Sequence, residues 1–203
     1  MALNFKMDDN NIQSSFSTIA SEIMNKWVLK AGDSSYRICE LEFYYKSKSH
    51  QDPYIHGHDL QKEMGKWYFH GSGLDMTFGS EKCPGSILIR AIYDLAEPHN
   101  YTYGPIKTVT ELFANLPDIY NGDFSLRLEA DDKGLIKKED KRIFDAPRVG
   151  LNPDKDLNGS FCLKKYRFFV MPSEQHVGIE NALRGSKLSN KEVNEILGYD
   201  IKG

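Results

Sequence analysis

The stretch Tyr36-Arg37-Ile38-Cys39-Glu40-Leu41-Glu42-Phe43-Tyr44-Tyr45 decides the fold. At a period of two, Cys39, Leu41, Phe43 and Tyr45 form an apolar face suited to a core. Glu40, Glu42 and Tyr44 share the other face with Ile38 and Tyr36. An antiparallel strand with one solvated face is the plain reading of such alternation. Two carboxylates beside two tyrosines also compose a cleft wall that carries acid–base chemistry next to an aromatic platform.

Upstream, Ile19, Ile23 and Met24 fall at helical spacing, with Ser15 or Ser17 as N-cap, and residues 1–13 read as a polar arm. Trp27-Val28-Leu29 reads as a strand and Gly32-Asp33-Ser34-Ser35 as the turn into the central stretch. Downstream, residues 46–66 form a polar loop with one helical turn around Asp59–Met64. Trp67–His70 and Leu74–Gly79 read as strands of a hairpin tipped by Gly71-Ser72-Gly73. Ser86–Tyr93 is apolar on both faces except for Arg90, so it reads as a central strand. A guanidinium cannot shed its proton, and inside a sheet it requires carboxylates; Glu40, Glu42 and Asp75 are the candidates.

Gly104-Pro105 opens a helix whose buried stripe is Ile106, Val109, Leu112, Phe113 and Leu116, ended by Pro117. Residues 118–145 read as solvated helix face or loop, Asn152–Gly159 as a loop, and Tyr166–Val170 as a strand. Ser189-Asn190-Lys191-Glu192 is a capping box for a short helix through Leu197. The expected fold is a single α+β domain over residues 1–203, with a curved, mainly antiparallel β-sheet flanked by helices.

A net charge of −3 argues against strong non-specific nucleic-acid affinity, which needs many phosphate contacts. The 3 cysteines are widely spaced, so neither a disulfide framework nor a cysteine zinc site is signalled. No apolar run approaches a membrane span and no signal peptide is visible, which sets the expectation of a cytoplasmic protein, with the oligomeric state open and a monomer as the default.

In order and spacing, these pieces resemble the alkyladenine (3-methyladenine) DNA glycosylase family. The matching motifs are Glu40-Leu41-Glu42-Phe43-Tyr44, Ile87-Leu88-Ile89-Arg90-Ala91, Gly104-Pro105-Ile106-Lys107, Arg148-Val149-Gly150 and Tyr166-Arg167-Phe168-Phe169-Val170. Residues 186–203 lie beyond the family's usual end. The resemblance implies a glycosylase-like fold and excision of damaged purines, as in base excision repair, by flipping the nucleotide into a pocket without metal or other cofactor. It makes Glu42 the base that activates water, Arg90 the residue that holds Glu42 and that water, and Tyr44 the stacking platform. His50 and His56 flank the position of the family's pocket histidine, which here is Pro53. Asp75 stands where the family has a screening asparagine, and Tyr68 and His70 adjoin the hairpin tip. That tip lacks the family's aromatic wedge. The expected substrate is therefore a modified purine in DNA, including single strands, or in a free nucleoside or nucleotide.

Three other readings rank behind. His50, Asp52, His56, His58 and Asp59 are dense enough for a metal hydrolase but match no established ligand spacing. A non-catalytic nucleic-acid or nucleotide binder would keep the pocket without turnover. A glycosidase using Glu40 and Glu42 would need carboxylates on opposite faces of its substrate, whereas these project in parallel from one strand.

Overall fold

The computed structural model describes residues 3–96, 101–114, 116–120, 122–137, 142–156, 160–170, 189–191 and 194 of the chain. Helix α1 spans Ile12–Lys26, and strands β1 (Trp27–Ala31) and β2 (Ser34–Tyr45) follow as a hairpin. Asn11 rather than Ser15 or Ser17 caps α1, accepting from the Ser14 N–H at 3.3 Å. Ser15 is instead buried, its hydroxyl turned back onto the Asn11 carbonyl at 3.1 Å. The helix therefore begins about one turn earlier than the apolar spacing suggests.

The long hairpin β3 (Met64–His70) and β4 (Gly73–Phe78) leads into β5 (Gly85–Asp94) and the short β6 (Tyr101–Tyr103). Helix α2 (Pro105–Leu112), β7 (Leu126–Ala130), β8 (Phe144–Ala146) and β9 (Arg167–Phe169) complete the described elements. The sheet runs β3-β4-β5-β2-β1-β7, with β6 on β5 and β9 between β2 and β8. Every pairing among the described residues is antiparallel. Its two ends curl toward each other, because the Trp67 indole N–H of β3 donates to the Leu126 carbonyl of β7 at 3.0 Å. A single α+β domain with a curled antiparallel sheet and few helices results.

Alternation along β2 separates the two helices. The Tyr36 hydroxyl donates to Glu111 on α2, while its neighbour Arg37 donates to the Met24 carbonyl at the end of α1. On the α1 side, Phe16 stacks on Phe43 at 4.6 Å and meets Tyr166 edge-on at 4.9 Å. Ile19, Ile23 and Met24 join Cys39, Leu41, Ile87 and Ile89 in the same core. Glu40, Glu42 and Arg90 lie away from that core.

Several sequence expectations are corrected. Helix α2 stops at Leu112, so Leu116 is 56% exposed, and Ile106 in the first turn is 49% exposed; Leu112 is buried as expected, Val109 and Phe113 pack partly buried against the core, and Thr108 joins them. Within residues 118–145 a strand forms, because Leu126-Arg127-Leu128-Glu129-Ala130 alternates at the strand period and completes β1. Asn152–Gly159 contains a 3-10 turn at Pro153–Lys155, entered through the Asn152 side chain. The helix expected from Ser189 falls mostly outside the described residues.

Candidate active site

Register brings the chemistry together. Glu42 on β2 and Asp75 on β4 both stand opposite Leu88 on β5, so the three share one row across adjacent strands. Two strand spacings put the Cα atoms of Glu42 and Asp75 about 10 Å apart, with Leu88 between them. Tyr44 and Arg90 belong to the same wall. Loops from both halves of the chain and the start of α2 border this row, leaving a half-open cavity of about 300 Å³. Its lining includes Glu42, Tyr44, His56, His70, Asp75 and Arg90.

Glu42 is fully buried and held from three directions. Its Oε1 accepts the Val149 N–H at 2.8 Å and meets Arg90 Nη1 at 3.3 Å. Its Oε2 accepts the Tyr44 hydroxyl at 2.8 Å. Burial, with the Glu42 charge adding to it, pushes the Tyr44 phenol well above its ordinary value, so Tyr44 remains a donor. An ionised carboxylate has about four acceptor positions. These contacts therefore leave one acceptor position on Oε2 without a protein donor.

Arg90 bridges both carboxylates of the opening stretch. Its Nε donates to Glu40 Oε1 at 2.9 Å, and Arg167 meets the same oxygen at 3.4 Å. Burial alone would lower the Arg90 pKa, but Glu42 and Glu40 outweigh it and raise it well above the ordinary value. Asp75, the third candidate partner, is not engaged by Arg90. Glu40 stands behind the cavity and does not line it, so Glu40 and Glu42 cannot together flank a glycoside there. The four groups Glu40, Glu42, Arg90 and Arg167 form a charge-balanced buried cluster, which is the condition under which such charges are tolerated.

A third guanidinium, Arg148, was visible in the sequence only as part of a motif. It grips Asp52 through two bonds of 2.6 and 3.1 Å and donates to the Phe43 carbonyl at 3.0 Å. Its charge lies over the Tyr44 ring at 4.6 Å. At most one face of Tyr44 is therefore open to an occupant. Arg148 and Val149 thus fix, from one short segment, both the aromatic platform and the carboxylate beside it. Nothing in the local pattern of the sequence marks Asp52 as the partner of Arg148.

On the opposite side, His70 Nε2 lies 3.0 Å from Asp75 Oδ1, and His56 Nδ1 lies 3.2 Å from the Tyr68 hydroxyl. The His56 and His70 rings stand 4.8 Å apart, and His58 stacks on Tyr68. Burial first, then the neighbouring His70, lowers the pKa of His56. Tyr68 does not line the cavity; it backs the histidines that do. Among the described residues, no three His, Cys, Asp or Glu side chains come together as a metal shell would.

His50 is the clearest correction. It packs against Phe161 at 5.0 Å and Tyr166 at 5.5 Å on the core side and makes no part of the cavity wall. Its Nε2 is buried with no hydrogen-bond partner. Burial, reinforced by Lys164, lowers its pKa from 6.5 to about 4. The unfolded imidazole binds its proton more readily than the folded one, so the stabilisation is present above 6.5 and lost as pH falls toward 4. Denaturant melts across that range should show a shallower acid loss in His50→Phe than in the wild type. Parallel slopes would contradict the assignment.

Residues that sequence reading did not place in the site include Tyr54, Gln61, Ser72 and Lys155, all of which line the cavity. Gly73, at φ 144°, lets the hairpin tip lie against its floor: a Cβ there would meet Leu88 at 2.8 Å and Pro105 at 2.9 Å. No helix among the described residues is long and apolar enough to cross a membrane.

No family model matches this chain. It is 28% identical, over 213 aligned positions, to an uncharacterized protein of Acanthamoeba polyphaga mimivirus, an alignment covering 88% of this chain and 93% of the viral protein. The likeness runs nearly end to end in both chains and brings no chemistry with it.

Proposed function

We propose that the protein is an N-glycosidic hydrolase that removes a modified purine from DNA or a related nucleotide, with Glu42 activating the attacking water. The observation that carries this reading is one buried carboxylate, clamped by Arg90 and the Val149 N–H, in the wall of a cavity that also holds Tyr44. The motif resemblance to the alkyladenine DNA glycosylases points the same way, and a glycosylase-like fold is part of this proposal. Water placed on Glu42 adds its oxygen to C1′ and gives its proton to the carboxylate. The C1′–N bond breaks, its electron pair leaves on the base, and a cationic alkylated purine departs neutral. Positioned acid–base catalysis of this kind supplies about 10²–10⁴ in rate. Fixed charges must stabilise the developing sugar cation for the remainder.

A binding module without turnover is the second reading, favoured by one contact: the Tyr44 hydroxyl occupies Glu42 Oε2. Free-base release from alkylated duplex DNA, alkylated single strands and modified nucleosides, followed in parallel, separates the two. The hydrolase reading expects release from at least one of them. Binding with no release from any would leave the module.

A further inference from the structure

We infer that Asp75 reads the edge of the base in this cavity and admits purines that present an N–H donor to it, such as an exocyclic amine. This rests on reading the cavity as a base pocket. The observation behind it is a hydrogen-bond chain whose direction is fixed at both ends by backbone N–H groups. At one end, the His58 N–H donates to Gln61 Oε1 at 3.1 Å, which sets the orientation of that buried amide. The Gln61 amide nitrogen must then donate to Ser86 Oγ, at 2.8 Å. Ser86, having accepted there, turns its own proton onto Asp75 Oδ2 at 2.6 Å. At the other end, the Ser72 N–H donates to His70 Nδ1 at 3.2 Å. The His70 proton therefore sits on Nε2 and points at Asp75 Oδ1.

Every donor in the chain runs toward Asp75, which ends it from both sides as an acceptor. Two of its acceptor positions are filled by protein, and the side chain, 4% exposed, lines the cavity. Whatever meets its remaining lone pairs there must donate. A base with only an acceptor at that edge would set oxygen lone pairs against a carboxylate, a mismatch that a site built for hydrogen bonding rejects strongly. The placement fits such a role: Asp75 is about 10 Å along the row from Glu42, so the glycosidic bond and the read edge fall at opposite ends of one occupant lying over Leu88. Asparagine in place of Asp75 would remove the demand for a donor, because its amide can turn either its oxygen or its NH₂ to the cavity.

The test is equilibrium binding of two free bases, adenine and 6-methoxypurine, to the full-length protein by calorimetry. Adenine presents an amine where 6-methoxypurine presents only acceptors. The wild type should prefer adenine by about 10–100-fold, and Asp75→Asn, checked for a retained melting transition, should bring the ratio close to one. Wild type that binds both bases equally would overturn the assignment without any variant. So would Asp75→Asn that keeps the preference. Failure of both bases to bind at millimolar concentration would remove the base-pocket reading along with this one. Discrimination without base release from any nucleic acid would uphold Asp75 as the reader and remove only the hydrolysis.

Discussion

Glu42→Gln should lose about 10²–10⁴ of the rate of base release while keeping its secondary structure and its affinity for the base. Gln preserves shape and an oxygen for the Val149 N–H, now 2.8 Å from Glu42. It cannot take a proton from water. The loss should therefore fall on kcat with KM little changed, the pattern of an interaction needed only as the bond breaks. Single-turnover release under enzyme excess is the measurement. A Glu42→Gln protein with undiminished kcat would show that the carboxylate is not the base.

Arg90→Ala should cost stability as well as rate. Arg90 uses Nε for Glu40 and Nη1 for Glu42, so its loss strips Glu42 of its counter-charge and leaves Glu40 to Arg167 alone. Breaking a buried ion pair by deleting one partner costs about 3–5 kcal/mol, because the remaining charge stays desolvated. Urea unfolding should report a loss of that size, and base release should fall in the folded fraction. Arg90→Lys should recover only part of either, since an ammonium cannot make the forked contacts to two carboxylates and Tyr103. Stability equal to wild type in Arg90→Ala would mean that the pairing does not bear on the fold.

The features legible in the sequence were those expressed in short periods. Alternation from Cys39 to Tyr45 sets the core face of β2 against the face bearing Glu42 and Tyr44. The single charge in Ile87–Tyr93 marks Arg90 as a paired residue, and the structure supplies Glu40 and Glu42 as partners. The alternation of Leu126–Ala130 carries the same signal, but its charged surroundings concealed it. Helix α2 misled because apolar residues continue at helical spacing to Leu116 after the helix has ended at Leu112. The Asp52–Arg148 clamp joins residues 96 positions apart and has no local signature. His50 was placed because it flanks Pro53, where the resembled family has its pocket histidine, whereas a ring among Tyr45, Phe161 and Tyr166 is held by packing that only the fold reveals. The polarity of the chain ending at Asp75 depends on two backbone N–H groups, which no side-chain pattern encodes.

Base release in water enriched in oxygen-18, with the sugar product reduced by borohydride at once to stop exchange of its anomeric oxygen, tests the central claim most directly, because it locates the atom that water attacks. Mass spectrometry of both products should find the label in the sugar at C1′ and none in the freed purine. Label in the base, or a released base with unlabelled sugar, would place the chemistry elsewhere and contradict hydrolysis at the glycosidic carbon.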